Sequence, residues 1–345
     1  MHTLVVRPDN AGDVLLAGPA VRAVAAGSTR VTVLAGPAGV AAARLLPGVD
    51  DVVEWRCPWI LGEPPPATRS DVEDLVDLLG GLQVDRALVL TSFHQSPLPT
   101  ALVLRMAGVV WIGAISVAYP GSLLDLRHSV DEMLPEAERA LSLAEASGFS
   151  LPAHDDGRLE VRRPLPDVSH LLPDGPYVVV HPGTSVPARA WPAERHAAAT
   201  RLLVEHGHRV VVTGAAAERE LTSAVAGTSG AADLGGRTDL AELAGVLDAA
   251  SVVVVGNTGP AHLAAAVGTP VVSLFAPTVP ARRWAPYRVP TVLLGDQHAA
   301  CRDTRVTRCP VEGHPCLTSV TPDAVLRAVE HTCGRRDLLQ VRMPA

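Results

Sequence analysis

Eight short runs dominated by apolar, mostly β-branched residues punctuate the chain. They lie at 3–7, 31–35, 86–91 and 110–117, then at 177–181, 208–213, 251–255 and 270–275. A strand wetted on one face alternates apolar and polar residues, whereas a run that is apolar throughout must be covered on both faces. Stretches of helical periodicity separate the runs, at 13–26, 97–107, 131–147, 192–206, 216–226, 239–249 and 259–267. Parallel strands joined by covering helices satisfy that pattern. The pattern restarts after "RRPLPDVSHLLPDGP" at 162–176, read as an interdomain linker, while "GEPPPATRS" at 62–70 reads as a surface loop. The expectation is an α/β chain of two Rossmann-like, doubly wound parallel-sheet domains, 1–165 and 166–330. A tail at 331–345 is expected to pack back on the first domain. Ligands are expected at the carboxyl ends of the strands, in an interdomain cleft.

Composition removes several classes of function. With 48% hydrophobic, 19% charged and 3% aromatic residues, the chain reads as a packed globular protein. A net charge of −7 argues against a nucleic-acid partner. All 29 basic residues are arginine, which excludes lysine Schiff-base chemistry and a Walker lysine. No apolar run reaches the roughly 18–20 residues of a membrane span. A strand begins at once, leaving no room for a signal peptide, and five cysteines, an odd number, suit a reducing cytoplasm.

Three strand-to-helix turns carry candidate chemistry. The first, "RPDNAGDVLLAGPAVRAV" (7–24), lacks the three glycines of a dinucleotide fingerprint and instead sets Asp13 beside Gly12 at the mouth of a helix. In the second, "VVVHPGTSVPARAWPAERHAAATRLL" (178–203), Thr184 and Ser185 can donate hydroxyls to a phosphate and Arg189 can add a charge-assisted contact. An ordinary capped turn fits that segment equally well. In the third, "SVVVVGNTGPAHLAAAVGTPVVSLFAPT" (251–278), a strand leads into Asn257, Thr258 and Gly259, and a helix starts near Pro260 with His262 on its first turn. Unpaired N–H groups and the positive dipole end there suit an anion without a metal. Glu218, after "RVVVTG", is placed either to accept ribose hydroxyls or to serve as a first-turn helix acid. Two helix N-termini on one diphosphate, with no D-x-D to hold a divalent ion, describe a nucleotide-sugar site that needs no metal.

These blocks, with "GRTDLAELAGVLDAA" before the third and "CPVEGHPCLTSVTPDAVLRAV" at 309–329, resemble the ADP-heptose:lipopolysaccharide heptosyltransferase type of glycosyltransferase (glycosyltransferase family 9) in order and spacing. The resemblance implies a GT-B fold and inverting transfer of a heptose from ADP-heptose to a cell-envelope glycan or glycolipid. It implies Asp13 as the general base, with Gly12 permitting close approach of the acceptor; a simple helix cap is the plainer role for Asp13. It matches Thr184, Ser185, Thr258, Gly259 and His262 to diphosphate contacts, with Asn257 and Pro260 in the same block. Arg189 stands where the family usually has lysine and Asn257 where aspartate is common. The first domain is implied to take the acceptor, making Phe93, His94 and Gln95 candidates, and Arg127 and His128 weaker ones; loop packing is the alternative for all five.

No cofactor is expected, the nucleotide sugar being a substrate. Arg282, Arg283, Arg288, Arg302, Arg305 and Arg308 form a basic stretch suited to a phosphorylated acceptor or to peripheral contact with the inner membrane surface, unless it is only a solvated face. His298, Cys301, Cys309, His314 and Cys316 lack the tight C-x-x-C hook of a zinc site, so no metal is expected. Competing functions are a UDP-sugar 2-epimerase of GT-B type, a secondary-metabolism glycosyltransferase with another donor, and a non-catalytic nucleotide-sugar sensor.

Overall fold

A computed structural model describes residues 1–60 and 66–340, the last seven in backbone only. The chain divides into two compact units, Met1–Arg162 and Arg163–Ala345, so the division falls three residues before the expected 165/166. In the first unit six parallel strands, β1 (His2–Arg7), β2 (Arg30–Ala35), β3 (Asp51–Glu54), β4 (Arg86–Val89), β5 (Trp111–Ile115) and β6 (Leu126–His128), run in the order β3-β2-β1-β4-β5-β6. The second unit repeats the plan. Its strands β7 (Tyr177–His181), β8 (Arg209–Val212), β9 (Ala232–Asp233), β10 (Val252–Gly256), β11 (Val271–Leu274) and β12 (Thr291–Leu294) lie in the order β12-β11-β10-β7-β8-β9. Two six-stranded parallel sheets with flanking helices thus bear out the expected doubly wound class.

Register and burial follow the apolar runs. Val5 pairs with Val33 and Leu88, Val254 with Val180 and Val272, and these valines and leucines are essentially inaccessible on both faces of their sheets. The strand order reverses between β1 and β4 and again between β7 and β10. Loops leaving neighbouring strands at such points diverge to opposite faces and leave a crevice at the carboxyl edge. The turns after β1, β7 and β10 are the three that carry candidate chemistry.

Four strands had no counterpart among the expected eight: β3, β6, β9 and β12. Each is the outermost of its sheet, two to four residues long and partly exposed, so no continuous apolar run marks it. The helix expected over 13–26 is two, Ala11–Leu16 and Gly18–Ala26, because Pro19 has no N–H to continue the first. The helix expected from 131 starts at Glu136, after Pro135. A helix at Arg69–Leu82, closed by a Thr68–Asp71 capping box, was not anticipated. Residues 61–65 of the expected proline-rich loop region lie outside the described residues. The tail expected from 331 continues the helix Pro322–Gln340, and its last part, 341–345, also lies outside them.

Candidate functional site

In the first unit the site grows from a charged residue closing a buried strand. Arg7 ends β1, is 4% exposed, and meets three carboxylates: Nε lies 3.2 Å from Asp9 Oδ2, and Nη2 lies 3.1 Å from Asp13 Oδ1 and 3.9 Å from Glu136 Oε2. Nη2 also donates to Ser92 Oγ at 3.2 Å. Gln95 Nε2 donates to Asp9 Oδ1 at 2.6 Å, while Gln95 Oε1 accepts from the Ser92 N–H at 2.8 Å. Burial and the repulsion of Asp13 push the Asp9 carboxyl above its usual range, against the pull of Arg7. Asp13 occupies the first turn of the helix Ala11–Leu16, whose N-cap is Asn10, so its carboxylate is not the cap. Gly12 beside it is buried.

Of the acceptor candidates, Phe93 and His94 stack edge to face, centroids 5.7 Å apart, on the exposed loop after β4. Gln95 is instead the pin that holds Asp9. Arg127, on the edge strand β6, donates to the carbonyls of Ser116 and Val117, and His128 meets Ser142 Oγ at 3.2 Å. Burial and the nearby Arg139 lower the proton affinity of His128.

In the second unit the turns after β7 and β10 come together. The Arg189 carbonyl lies 3.5 Å from where a Cβ on Gly256 would sit, an ordinary contact that sets the two loops side by side. The helix Gly259–Val267 starts at Thr258, its N-cap, with Pro260 in the first turn, where no N–H is missed. Asn257 is 5% and His262 6% exposed. Both polar atoms of Asn257, Thr258 Oγ1 and His262 Nδ1 are buried with no hydrogen-bond partner among the described residues. Burial, aided by the charge of Arg189, lowers His262 to about 4. A neutral ring, two hydroxyl and amide donors, an arginine and a free helix N-terminus form a cradle for an anion.

The turn after β7 is the more exposed of the two. Thr184 Oγ1 accepts from the Val186 N–H at 3.2 Å, Ser185 faces solvent, and Arg189 closes a 3₁₀ turn, Pro187–Arg189. Pro192 is the N-cap of the helix Ala193–Glu205 rather than its first-turn residue. Glu218 Oε2 accepts from the Ala215 N–H at 2.8 Å, and its Oε1 packs so closely on Gly183 that a Cβ there would meet it at 2.1 Å. Its charge partly offsets the burial that lowers His181, which bonds Thr213, to about 4.

The arginine run is not one surface. Arg282, Arg288, Arg302 and Arg308 are exposed, but Arg283 is 3% exposed and stacks toward Trp284, and Arg302 pairs with Asp303. Cys301 and Cys316 belong to the apolar core, where burial and the neighbouring thiol push Cys316 up to about 12. Their loop straps the Arg189 turn: the Ala188 N–H donates to the Thr307 carbonyl at 2.9 Å and His314 Nε2 meets the Ala188 carbonyl at 3.1 Å. Among the described residues no cluster of His, Cys, Asp or Glu is arranged to hold a metal ion, and no helix is long and apolar enough to cross a membrane.

The sequence reading missed Arg7, Asp9 and Glu136. A charged residue ending a wholly apolar strand was the available signal for Arg7; nothing local marks Glu136, which is 129 residues further on.

Two doubly wound sheets, one with a held carboxylate and one with an anion cradle, define the GT-B class of sugar-nucleotide transferase folds. Solved structures share the architecture. Escherichia coli ADP-heptose lipopolysaccharide heptosyltransferase II matches with TM-score 0.76 at 21% identity, over 98% of this chain and 100% of that one. A family 9 glycosyl transferase from Veillonella parvula matches with TM-score 0.78 at 16% identity, over 97% of each. The sequence model of glycosyltransferase family 9 (heptosyltransferase) matches residues 74–314, and the chain belongs to that family. Lipopolysaccharide heptosyltransferase 2 of E. coli is 28% identical over 219 residues, 57% of this chain and 61% of that protein. Lipopolysaccharide heptosyltransferase 1 of Pseudomonas aeruginosa is 40% identical over 110 residues, 31% of each. The matched stretches thus span about three fifths of the first relative and about a third of the second.

Proposed function

We propose that the chain is an inverting, metal-independent glycosyltransferase that moves a heptose from ADP-heptose to a hydroxyl of a cell-envelope glycan or glycolipid, with Asp13 as general base. The observation that carries the reading is the set of buried, partnerless polar groups at the start of the helix Gly259–Val267. Leaving a buried donor unsatisfied costs about 1–3 kcal/mol, a cost that a bound anion removes for Asn257 Nδ2, Thr258 Oγ1 and a protonated His262 Nδ1, though not for the acceptor Asn257 Oδ1. Thr258, Asn257, His262 and Arg189 receive the diphosphate, Thr184 and Ser185 extend the contact, and Glu218 takes the nucleoside. Asp13 removes the acceptor hydroxyl proton as that oxygen attacks the anomeric carbon. The bond from that carbon to the diphosphate breaks, its electron pair leaves with the nucleotide, and the configuration inverts. Helix dipole and arginine, rather than a divalent ion, stabilise the departing charge.

The enzyme works in the cytoplasm, where the exposed Arg282, Arg288, Arg302 and Arg308 bring it to the anionic inner membrane surface that presents a lipid-linked acceptor. Calorimetric titration with ADP, UDP and GDP, in chelator and in Mg²⁺, tests the donor site. Selective ADP binding that chelator leaves intact is expected, followed by transfer from ADP-heptose to an acceptor. Preference for UDP or GDP overturns the donor assignment; epimerisation of the nucleotide sugar without acceptor overturns the transferase.

A further inference from the structure

Resting on the assignment of Asp13 as the base, we propose that Arg7 is its positioning residue: a guanidinium locked from behind by Asp9, Glu136 and Ser92 holds Asp13 Oδ1 and leaves the other carboxylate oxygen to take the acceptor proton.

Four parts of the first unit converge on this one side chain. Arg7 closes β1, Asp9 and Asp13 follow it, Ser92 and Gln95 come from the loop after β4, and Glu136 opens the helix Glu136–Ala146. The three carboxylates differ in access. Side-chain exposure is 6% for Asp9 and 2% for Glu136, but 22% for Asp13. Only Asp13 is open to a substrate, and the other two are committed to Arg7. Arg139, one turn beyond Glu136, meets Glu136 Oε2 at 3.9 Å and donates to the Thr91 carbonyl, which fixes Glu136 in turn. The planar guanidinium sets Nε 3.2 Å from Asp9 as an ion pair without hydrogen-bond geometry while Nη2 donates to Asp13, an arrangement that a single ammonium cannot reproduce.

Charge supports the arrangement. Arg7 faces three acids, Arg139 is a second cation on Glu136, and His94 and Cys57 are further titratable groups whose charge couples to Asp9. Burial and the repulsion of Asp13 push the Asp9 carboxyl above its usual range, and the pull of Arg7 opposes them. The Asp13 carboxylate is therefore oriented before any acceptor arrives.

The test is a double-mutant cycle on the full chain with Arg7→Lys, Arg7→Met and Asp13→Asn. Arg7→Lys is expected to lower kcat about 10-fold at unchanged donor KM and unchanged ADP affinity, and Arg7→Met to lower it further. In the Asp13→Asn background, single-turnover rates should no longer respond to Arg7→Lys. A wild-type kcat for Arg7→Lys, or an equal loss in both backgrounds, overturns the proposal. Arg7→Met leaves buried acids uncompensated, so if it does not fold, Glu136→Gln serves in its place, with the same loss of response expected beside Asp13→Asn. A denaturant-unfolding cycle of the same variants reads the Arg7–Asp13 coupling without any turnover. Should the wild-type chain transfer no sugar, the function assigned above fails, and the clamp is judged by that cycle alone: coupled losses support it and additive losses overturn it.

Discussion

The two units answer opposite demands with the same sheet. At the edge of β1 and β4 the polar groups are committed to one another: Arg7 serves three acids and a hydroxyl, and Gln95 serves Asp9. At the edge of β7 and β10 they are withheld: Asn257, Thr258 and His262 hold buried polar atoms with no partner among the described residues. On the proposed reading a base must be aimed before its substrate arrives, and Asp13 is held by ion pairing around Arg7, although Arg7 Nε and Asp9 Oδ2, 3.2 Å apart, make no hydrogen bond among the described residues. An anion site must keep its donors uncommitted, so the fold tolerates unsatisfied groups there until the ligand supplies the acceptor oxygens. The difference between the units is therefore one of ion pairing around Arg7 against uncommitted neutral groups at the helix start.

The sharpest way to break this comparison is Asp13→Asn. Transfer is expected to fall by about 10²–10⁴ while ADP affinity, measured calorimetrically, stays within twofold. Weakened ADP binding in that variant would show that the two sites are not separable in this sense.

Acid should separate the units next. His181, His196 and His262, all buried in the second unit, are lowered to about 4, 3 and 4. Their folded values lie below an unfolded value of about 6.5, so between these limits the unfolded chain binds more protons and stability rises with pH. The contribution is complete above pH about 6.5 and is lost as pH falls toward 4. Asp9 in the first unit has the opposite sign. Its folded value is raised, so the folded state binds more protons, and its contribution is present at low pH and lost as pH rises through the folded value. Hydrogen exchange resolved by unit, from pH 7.5 to 4.5, should show the second unit losing protection first; simultaneous loss would contradict the burial of those rings.

A smaller effect bears on the withheld donors themselves. Thr258→Val keeps the shape and the β-branched backbone preference of the N-cap but removes a hydroxyl that bonds nothing among the described residues. Removing an unsatisfied buried hydroxyl should leave the melting temperature equal or higher, while ADP affinity falls about 10-fold. A destabilised variant with unchanged affinity would reassign Thr258 to the fold.

What the sequence made legible follows the same physics. Central strands declared themselves because burial on both faces forbids polar residues, as in "VVVV" at 252–255; edge strands such as β6, "LRH", did not, because one neighbour and partial exposure tolerate any pattern. The proposed anion cradle could be put together from sequence because a helix start is contiguous: Asn257, Thr258, Pro260 and His262 fall within six residues. The clamp behind Asp13 was not, since Arg7 and Glu136 meet only through the sheet and its covering helix. Gln95 shows the cost of that blindness. A polar side chain after a strand reads as facing substrate, and only three-dimensional packing adds that it also bonds Asp9.

Glu218 remains the residue on which sequence and structure pull hardest in two directions, and a glycine offers the means of deciding. Its Oε2 accepts the Ala215 N–H, as a first-turn acid should, yet its Oε1 lies over Gly183, in the turn that also carries Thr184 and Ser185. Gly183→Ala puts a methyl group 2.1 Å from Oε1, which forces that oxygen away without altering the charge of the carboxylate. If the carboxylate receives ribose hydroxyls, this displacement should cost a few-fold to about 10-fold in ADP affinity and nothing in affinity for inorganic diphosphate, which has no ribose. Equal weakening toward both ligands would place the damage in the phosphate turn. An unchanged affinity for both, with only a lowered melting temperature, would leave Glu218 as the cap of its own helix.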